Sequence, residues 1–349
     1  MKELGVLAFT AAACVLAQQP RVQNAKLETR QLSGGLEAAM KGFVTATTSP
    51  LWVGYAVPIV HGDRTMCCFN NNIMCGCSLE GRNNMEGNIN TGSPVKLEGP
   101  THLVVLYRIE DHEIGKVRTF TPECELDAGG LPFVWLNGVP PADSVHYLAT
   151  LAVQDGRRHS SPLSALALHA DPAADAALEQ LTSANQPESV RRDAAFWLGT
   201  ARGRRGYEIL TRMLRDDPSD KVREQAIFAL TQSKEPDALT TIIRVAHDDK
   251  SPHVRGQALF WLAQKAGSKV TETIQNAVDN DPDTEVKKKA VFALTQMPNN
   301  EGVPKLIEVA RTNRNPVVRK QAVFWLGQSK DPRALQFMED VLLGKATTH

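Results

Sequence analysis

The sequence lacks an excess of charge of either sign, because 39 Lys and Arg residues balance 39 Asp and Glu residues. Binding to nucleic acid or to an anionic membrane depends on a basic surface field, so this balance argues against both kinds of partner. Beyond the N-terminus no apolar run is long enough to span a bilayer, and no transmembrane span is predicted. The motifs G-x-S-x-G, H-E-x-x-H and the P-loop are missing as well. We therefore predict no catalytic residue, no cofactor and no metal site.

The one long apolar run lies at the N-terminus. Lys2 precedes an apolar stretch from Leu4 to Ala17, which ends in small and aliphatic residues before Gln18. This pattern is typical of a secretory signal peptide, so we predict that residues 1–17 are removed and the protein is exported to the periplasm or the extracellular space. Two alternatives remain open, namely a lipoprotein anchor at Cys14 and a buried N-terminal helix.

Cysteines are few, and most of them are clustered. If Cys14 leaves with the signal, five remain: Cys67, Cys68, Cys75, Cys77 and Cys124. An oxidising compartment favours disulfides, and Cys67 or Cys68 could close a loop with Cys75 or Cys77. Because five is odd, at least one thiol stays free or pairs outside the chain. Metal binding and reactive thiol chemistry are the alternatives, although C-C and C-x-C are not zinc-ribbon spacings.

The C-terminal part of the chain is an internal repeat with a period of 32 residues. Four columns recur without a gap in five copies. The columns are valine (Val190, Val222, Val254, Val286, Val318), alanine (Ala194, Ala226, Ala258, Ala290, Ala322), phenylalanine (Phe196, Phe228, Phe260, Phe292, Phe324) and leucine (Leu198, Leu230, Leu262, Leu294, Leu326). A fixed period of this length predicts a solenoid of two-helix units.

Each copy reads as a helix, a short turn and a second helix. In the third copy Ser251 and Pro252 match an N-cap and the first position of the second helix. The columns resemble those of the HEAT-like repeat family, in the short form also found in phycobilin lyases, over roughly residues 141–344. We therefore predict a mainly α fold, an α-solenoid with a small strand-rich N-terminal domain.

Acidic or amide residues recur six places before basic ones. The first column is Asn185, Asp217, Asp249, Asp281 and Asn313, and the second is Arg191, Arg223, Arg255, Lys287 and Arg319. The resemblance implies that these columns link successive units by hydrogen bonds and ion pairs.

The phenylalanine column lies apart from the apolar stripe of the second helix. If each valine is set at 0° on a helical wheel, phenylalanine falls at about 240° and the residue after it at about 340°. That next column alternates between tryptophan and alanine, and we predict that Trp197, Trp261 and Trp325 belong to the core. Glutamines flank the phenylalanines at Gln225, Gln232, Gln257, Gln264, Gln296, Gln321 and Gln328. In the HEAT-like family the second helix lines the concave face, so the column predicts a binding surface there, with packing between helices as the alternative.

The remaining sequence divides into three segments. We predict a linker over 18–45, with a short helix as the alternative, a small cysteine-containing β-rich domain over 46–140, and the solenoid over 141–349. β-like runs such as "LWVGYAVPIV" and "HLVVLYRIE" support the second segment. The function predicted is an exported, non-catalytic scaffold that binds a protein or an extended peptide. The alternative is an enzyme or a metal or redox protein, lyase-like, with its chemistry at the cysteine cluster and the solenoid as a docking arm.

Overall fold

The computed structural model describes residues 19–62, 66–70, 73–81, 100–154 and 160–345. The predicted signal peptide and Cys14 lie outside these ranges. The chain divides into two compact units, residues 1–151 with 164–174 and residues 152–163 with 175–349. Within the described residues no helix has the length and apolar character needed to cross a membrane.

The N-terminal unit is built mainly from strands. Its elements are β1 (Arg21–Gln23), β2 (Lys26–Gln31), α1 (Leu36–Ala46), β3 (Leu51–Pro58), β4 (Cys68–Asn70), β5 (Ile73–Cys75), β6 (Cys77–Ser78), β7 (His102–Glu110), β8 (Glu113–Phe120), β9 (Glu125–Asp127), β10 (Pro132–Asn137), most of α2 (Pro141–Gln154) and most of α3 (Ser160–Leu168). A five-stranded mixed sheet has the order β2-β10-β3-β7-β8, and a three-stranded sheet has the order β1-β9-β6.

Most of the predicted 18–45 linker is instead part of this unit. Strand β2 pairs in parallel with β10 along its whole length, and Leu36 and Met40 of α1 are fully buried. Every residue of β2 is exposed, as befits an edge strand. Such a strand has no alternation of apolar and polar residues, so its sequence resembles a polar linker.

The central strands of the five-stranded sheet are buried on both faces. Trp52 and Trp135 lie in a cluster with the disulfide-bonded cysteines, whereas Tyr55 alternates to the opposite face. There the hydroxyl of Tyr55 lies 2.8 Å from that of Tyr107 and 2.9 Å from Oγ of Ser144 in α2. Burial raises the pKa of Tyr55 to about 12, so this hydroxyl is a neutral hydrogen-bonding group at physiological pH.

The C-terminal unit is a stack of helix pairs. First helices are α4 (Ala173–Leu181), α6 (Gly203–Asp216), α8 (Ala238–Asp248), α10 (Thr271–Asn280), α12 (Val303–Thr312) and α14 (Pro332–Leu342). Second helices are α5 (Glu188–Ala201), α7 (Asp220–Gln232), α9 (Pro252–Ala266), α11 (Thr284–Thr295) and α13 (Pro316–Gln328). The predicted mainly α solenoid with a small strand-rich N-terminal region is confirmed.

The repeat columns explain the core of this unit. In the third copy Val254, Ala258 and Leu262 are all fully buried, and the corresponding residues of the other four copies are also buried. These side chains form the stripe of each second helix that packs on the first helices. Helices α2 and α3, which the sequence places in a degenerate first repeat, are divided between the two units.

Candidate functional site: an aromatic ladder on the second helices

The phenylalanine column lies on the side of the second helices that is turned away from the buried stripe. Phe196, Phe228, Phe260 and Phe292 are half-buried, and Phe324 is 52% exposed. The five rings recur at the same position of successive helices because the repeat has no insertion. They therefore form a row across the helix layer.

Tryptophans complete this row, and we call the eight rings the aromatic ladder. Phe196 stacks on Phe228 with centroids 6.2 Å apart, and Phe228 contacts Trp261 of the next helix at 4.8 Å. The same contacts repeat two units later, from Phe260 to Phe292 at 6.2 Å and from there to Trp325 at 5.0 Å. Each tryptophan also meets the phenylalanine before it edge to face. Both geometries are favourable for aromatic pairs.

The predicted core location of the tryptophans is wrong. Trp197, Trp261 and Trp325 are half-buried, whereas Ala229 and Ala293 of the same column are fully buried. The helical wheel gives the angular position of the tryptophan column beside valine. It does not give the distance between neighbouring second helices. Because an indole is large, it extends past the stripe and packs on the phenylalanine of the preceding unit.

The alternation of tryptophan and alanine produces two kinds of junction between second helices. Contacts are more extensive between α5 and α7 and between α9 and α11, where the column holds alanine, than at the two tryptophan junctions. At the first close junction a Cβ on Gly199 would lie 2.3 Å from the carbonyl oxygen of Ala229. The close junctions carry stacked phenylalanines, and the wider ones are filled by tryptophan.

Amide side chains lie beside the aromatic ladder. Gln232, Gln264 and Gln328 follow a phenylalanine by four residues and are exposed, so each is a neighbour of a ring on the helix surface. The remaining predicted glutamines, Gln225, Gln257, Gln296 and Gln321, are half-buried. Of these seven glutamines, Gln232 and Gln296 donate an amide hydrogen bond to the hydroxyl of the preceding threonine, at 2.8 and 2.9 Å.

A second polar row near the ladder was not predicted from the sequence. Lys289 Nζ lies 2.8 Å from Nδ1 of His253, and Nε2 of the same imidazole lies 2.6 Å from Glu224 Oε1. These residues belong to α11, α9 and α7, so the row crosses three successive second helices. Their columns vary between copies, so the repeat gave no signal for them.

The acidic and basic columns form a ladder of buried ion pairs at the first three junctions. Arg223 donates from Nε and one terminal nitrogen to Asp249, at 2.9 and 3.1 Å, and from the other terminal nitrogen to the carbonyl of Asp217 at 2.8 Å. Arg191 binds Asp217, and Arg255 binds Asp281, through the same two nitrogens. Each arginine thus links its own turn to the next unit.

The aspartates of this ladder also shape the turn before the second helix. Asp249 Oδ1 accepts from the backbone N–H of Ser251 at 2.8 Å, and Asp281 Oδ1 accepts from that of Asp283 at 2.9 Å. Burial opposes the charge of Asp281, but the hydrogen bonds from Arg255 and from this backbone N–H outweigh it and lower the pKa of the carboxyl. The carboxylates are therefore structural acceptors.

The ion-pair ladder ends at the fourth junction. Lys287 Nζ donates to the carbonyl of Asp279 at 2.7 Å, and Asn313 donates to the carboxylate of that same aspartate at 3.0 Å. A lysine lacks the planar guanidinium that binds a carboxylate at two points. An asparagine lacks the negative charge that would attract the lysine. Arg319 donates within its own turn, to the carbonyls of Asn313 at 2.7 Å and of Arg314 at 3.3 Å.

Disulfides join four of the clustered cysteines in the N-terminal unit. Cys67 is bonded to Cys124 and Cys68 to Cys77, each with Cα atoms 5.2 Å apart. Cys75 is the last residue of β5. Within the described residues no group of three or more His, Cys, Asp or Glu side chains is arranged to hold a metal ion.

The helix pairs and the columns that link them place the C-terminal unit in the class of two-helix repeat solenoids. Residues 174–263 and 271–347 match HEAT repeats, so this part of the chain carries repeats of the HEAT type. Among curated proteins none matches the sequence.

The solved structures that are similar to the chain include the following two. Human deoxyhypusine hydroxylase, in complex with glycerol, is 19% identical with a TM-score of 0.26, over 58% of this chain and 78% of that one. A chain from the complex of CpcE and CpcF of phycocyanin lyase from Nostoc sp. PCC7120 is 23% identical with a TM-score of 0.34, over 46% of this chain and 100% of that one. These scores are too low to say anything about activity.

Proposed function

We propose that the protein is an exported, non-catalytic scaffold whose aromatic ladder binds an extended segment of a partner protein. The observation that carries this proposal is the unbroken row of eight rings on the outward side of the second helices. A solenoid core needs no aromatic residue at this position, because the stripe of valine, alanine and leucine already supplies the packing.

The chemistry of the surface fits a polypeptide. Half-buried rings offer rigid apolar contact area at a low cost in side-chain entropy, because they are already held by their neighbours. Exposed amides at Gln232, Gln264 and Gln328 can donate to and accept from a peptide backbone. An extended chain presents side chains and backbone groups alternately along its length, which suits a row of apolar and amide groups.

Stacking of nucleic acid bases is the less suitable use of such rings. That mode combines aromatic platforms with a strongly basic channel along the phosphates. Here Gln225, Gln257 and Gln321 share a column with one acid, Asp193, and one base, Lys289. The surface is therefore amide-rich rather than basic.

A crosslinking experiment tests the proposal. A photoreactive amino acid would replace Gln264 beside the ladder, and Thr240, exposed on first helix α8, in the matched control. In the native compartment we expect one dominant crosslinked protein from the ladder position, competed by added unlabelled protein, and none from the control. Equal products from both positions, or none from either, would reject the ladder as the binding surface.

A further inference from the structure

One residue column beside the aromatic ladder carries opposite charges at two of its positions. Each member precedes a phenylalanine by three places, so it lies next to a ring on the helix surface. The column consists of Asp193 on α5, Gln225 on α7, Gln257 on α9, Lys289 on α11 and Gln321 on α13. An acid and a base are thus separated by two uncharged amides, and contacting rings run beside them from α5 to α11.

Asp193 is a carboxylate without a partner of opposite charge. Among the residues that the structure describes, its side chain makes no hydrogen bond and no ion pair. Burial of part of the side chain raises the pKa of Asp193, because the ionised form loses solvation, and the charge of the neighbouring Arg192 offsets this only in part. A cationic group of a ligand would therefore stabilise the ionised carboxylate.

Lys289 is an ammonium that its surroundings hold in place. Its Nζ donates to Nδ1 of His253 at 2.8 Å, and a Cβ on Gly256 would clash with its Cδ, so the lysine stem lies across α9. Glu224 binds the other nitrogen of that imidazole, and Lys289 itself has no ion pair among the described residues. Since an ammonium has three donors, two remain for a carboxylate of a ligand.

Three steps between neighbouring second helices separate the two charges. Packed helices have axes about 8–10 Å apart, so α5 and α11 are about 24–30 Å apart. An extended chain advances about 3.3–3.4 Å per residue. About 7–9 residues of an extended peptide therefore reach from Asp193 to Lys289.

We propose that the aromatic ladder selects extended segments that carry a basic and an acidic side chain about 7–9 residues apart, the first bound at Asp193 and the second at Lys289. This inference rests on the proposed function, because it names the chemistry of the segment that the ladder binds. The rings give apolar contact to many sequences, whereas the two charges set the register and the direction of the bound segment. In the opposite direction like charges would meet at both positions.

Selection from a random library of 16-residue peptides displayed on phage tests the proposal on the full chain. The charge swap, Asp193→Lys with Lys289→Asp, is compared with a control swap, Arg244→Glu with Glu272→Lys, at two exposed positions of first helices. The unsubstituted protein and the control swap should enrich peptides with a base and an acid about 7–9 residues apart.

The affinity of one enriched peptide, labelled with fluorescein, is then measured by fluorescence anisotropy. The charge swap should raise its dissociation constant at least about tenfold, because like charges meet at both positions, and the control swap less than about twofold. Reversing both charges of the peptide should restore binding to the charge swap. If that protein does not fold, Asp193→Asn with Lys289→Gln should raise the dissociation constant at least about threefold.

Crosslinking from the position of Gln264 separates this proposal from the proposed function. Enriched peptides that crosslink there but show no preferred charge spacing would overturn the charge requirement and leave the ladder as a peptide-binding surface. Equal dissociation constants for the charge swap and the control swap would have the same meaning. If no enriched peptide crosslinks from that position, both proposals are overturned.

Discussion

At the scale of single residues, the phenylalanines show what a helical wheel can and cannot predict. The wheel places the column about 160° from the middle of the buried stripe, and four of the five rings are indeed only half-buried. The cover over those rings comes from the next unit, through Phe228 on Phe196 and Trp261 on Phe228. Such a contact depends on the spacing between helices, which the sequence of a single helix does not contain.

Differences in ring contacts predict different costs of truncation. Phe228 touches two rings and is half-buried, so Phe228→Ser should lower the free energy of unfolding by about 2–3 kcal/mol, below the range for a fully buried phenylalanine. Phe324 touches only Trp325 among the rings of the described residues and is 52% exposed, so Phe324→Ser should cost less than about 1 kcal/mol. Urea denaturation of the two variants measures the difference, and equal losses would contradict the burial pattern.

The ion-pair ladder predicts a large effect at a single carboxylate. Asp249→Ala removes the carboxylate that the 1% exposed Arg223 binds through two nitrogens and leaves it only the more exposed carboxylate of Asp220, so we expect a loss of about 2–3 kcal/mol. The neighbouring Asp248→Ala is the matched control, because that side chain is 61% exposed. The control should change stability by less than about 0.5 kcal/mol. Similar denaturation midpoints for both variants would show that the buried column adds nothing to the stack.

At the scale of helices, the alternation of tryptophan and alanine gives the stack a period of two units. Gly199 and Ala229 let α5 and α7 approach, and Trp261 holds α7 and α9 further apart. The alternation was visible in the sequence as large and small residues in one column. The position of the column beside valine on the wheel predicts a core location, and nothing in the column indicates that the indoles reach the adjacent second helix.

Two glycines in one repeat column test this alternation. Gly199→Ala would place a methyl group 2.3 Å from the Ala229 carbonyl oxygen, so we expect destabilisation by about 1–3 kcal/mol. Gly327→Ala is the control, because its methyl group would meet only Met338 Cε at 3.9 Å. That variant should gain about 0.5–1 kcal/mol from helix propensity. Thermal unfolding of both proteins gives the sign, and a gain in both would mean that α5 and α7 are not closely packed.

Strand β2 and helix α1 mark the limit of prediction at this scale. The sequence of β2, KLETRQ, has no apolar face, and its strand conformation comes from pairing with β10, more than one hundred residues away. The repeat helices were predictable because five copies report the same pattern. Strand β2 lies outside the repeat, so no other copy supports its assignment, and its own sequence has no alternation of apolar and polar residues.

At the scale of the whole molecule, the fold class follows directly from the period, and residues 174–263 and 271–347 match HEAT repeats. The aromatic ladder was predicted in part, as phenylalanines and glutamines without the tryptophans. Export and partner binding remain proposals, since they rest on the N-terminal sequence and on surface chemistry.

If the protein is exported, its mature form should begin at the predicted cleavage site. Lys2, the apolar run and Ala17 place the cleavage site before Gln18. N-terminal sequencing of protein from the native cell envelope or medium should therefore begin at Gln18. A chain beginning at Met1 in the cytoplasm would reject export, and a lipid-modified Cys14 would show a lipid anchor in place of a cleaved signal peptide.

The most direct measurement of the central claim is the affinity of the crosslinked partner for two charge-matched variants. Gln232→Glu, Gln264→Glu and Gln328→Glu together place three charges beside the rings without removing a ring contact. Thr240→Glu, Asn276→Asp and Thr312→Glu place three charges on exposed positions of the first helices. If the ladder binds the partner, the first variant should raise the dissociation constant at least about tenfold, equivalent to about 1.4 kcal/mol, and the second by less than about twofold. Equal dissociation constants for the two variants would contradict binding at the aromatic ladder.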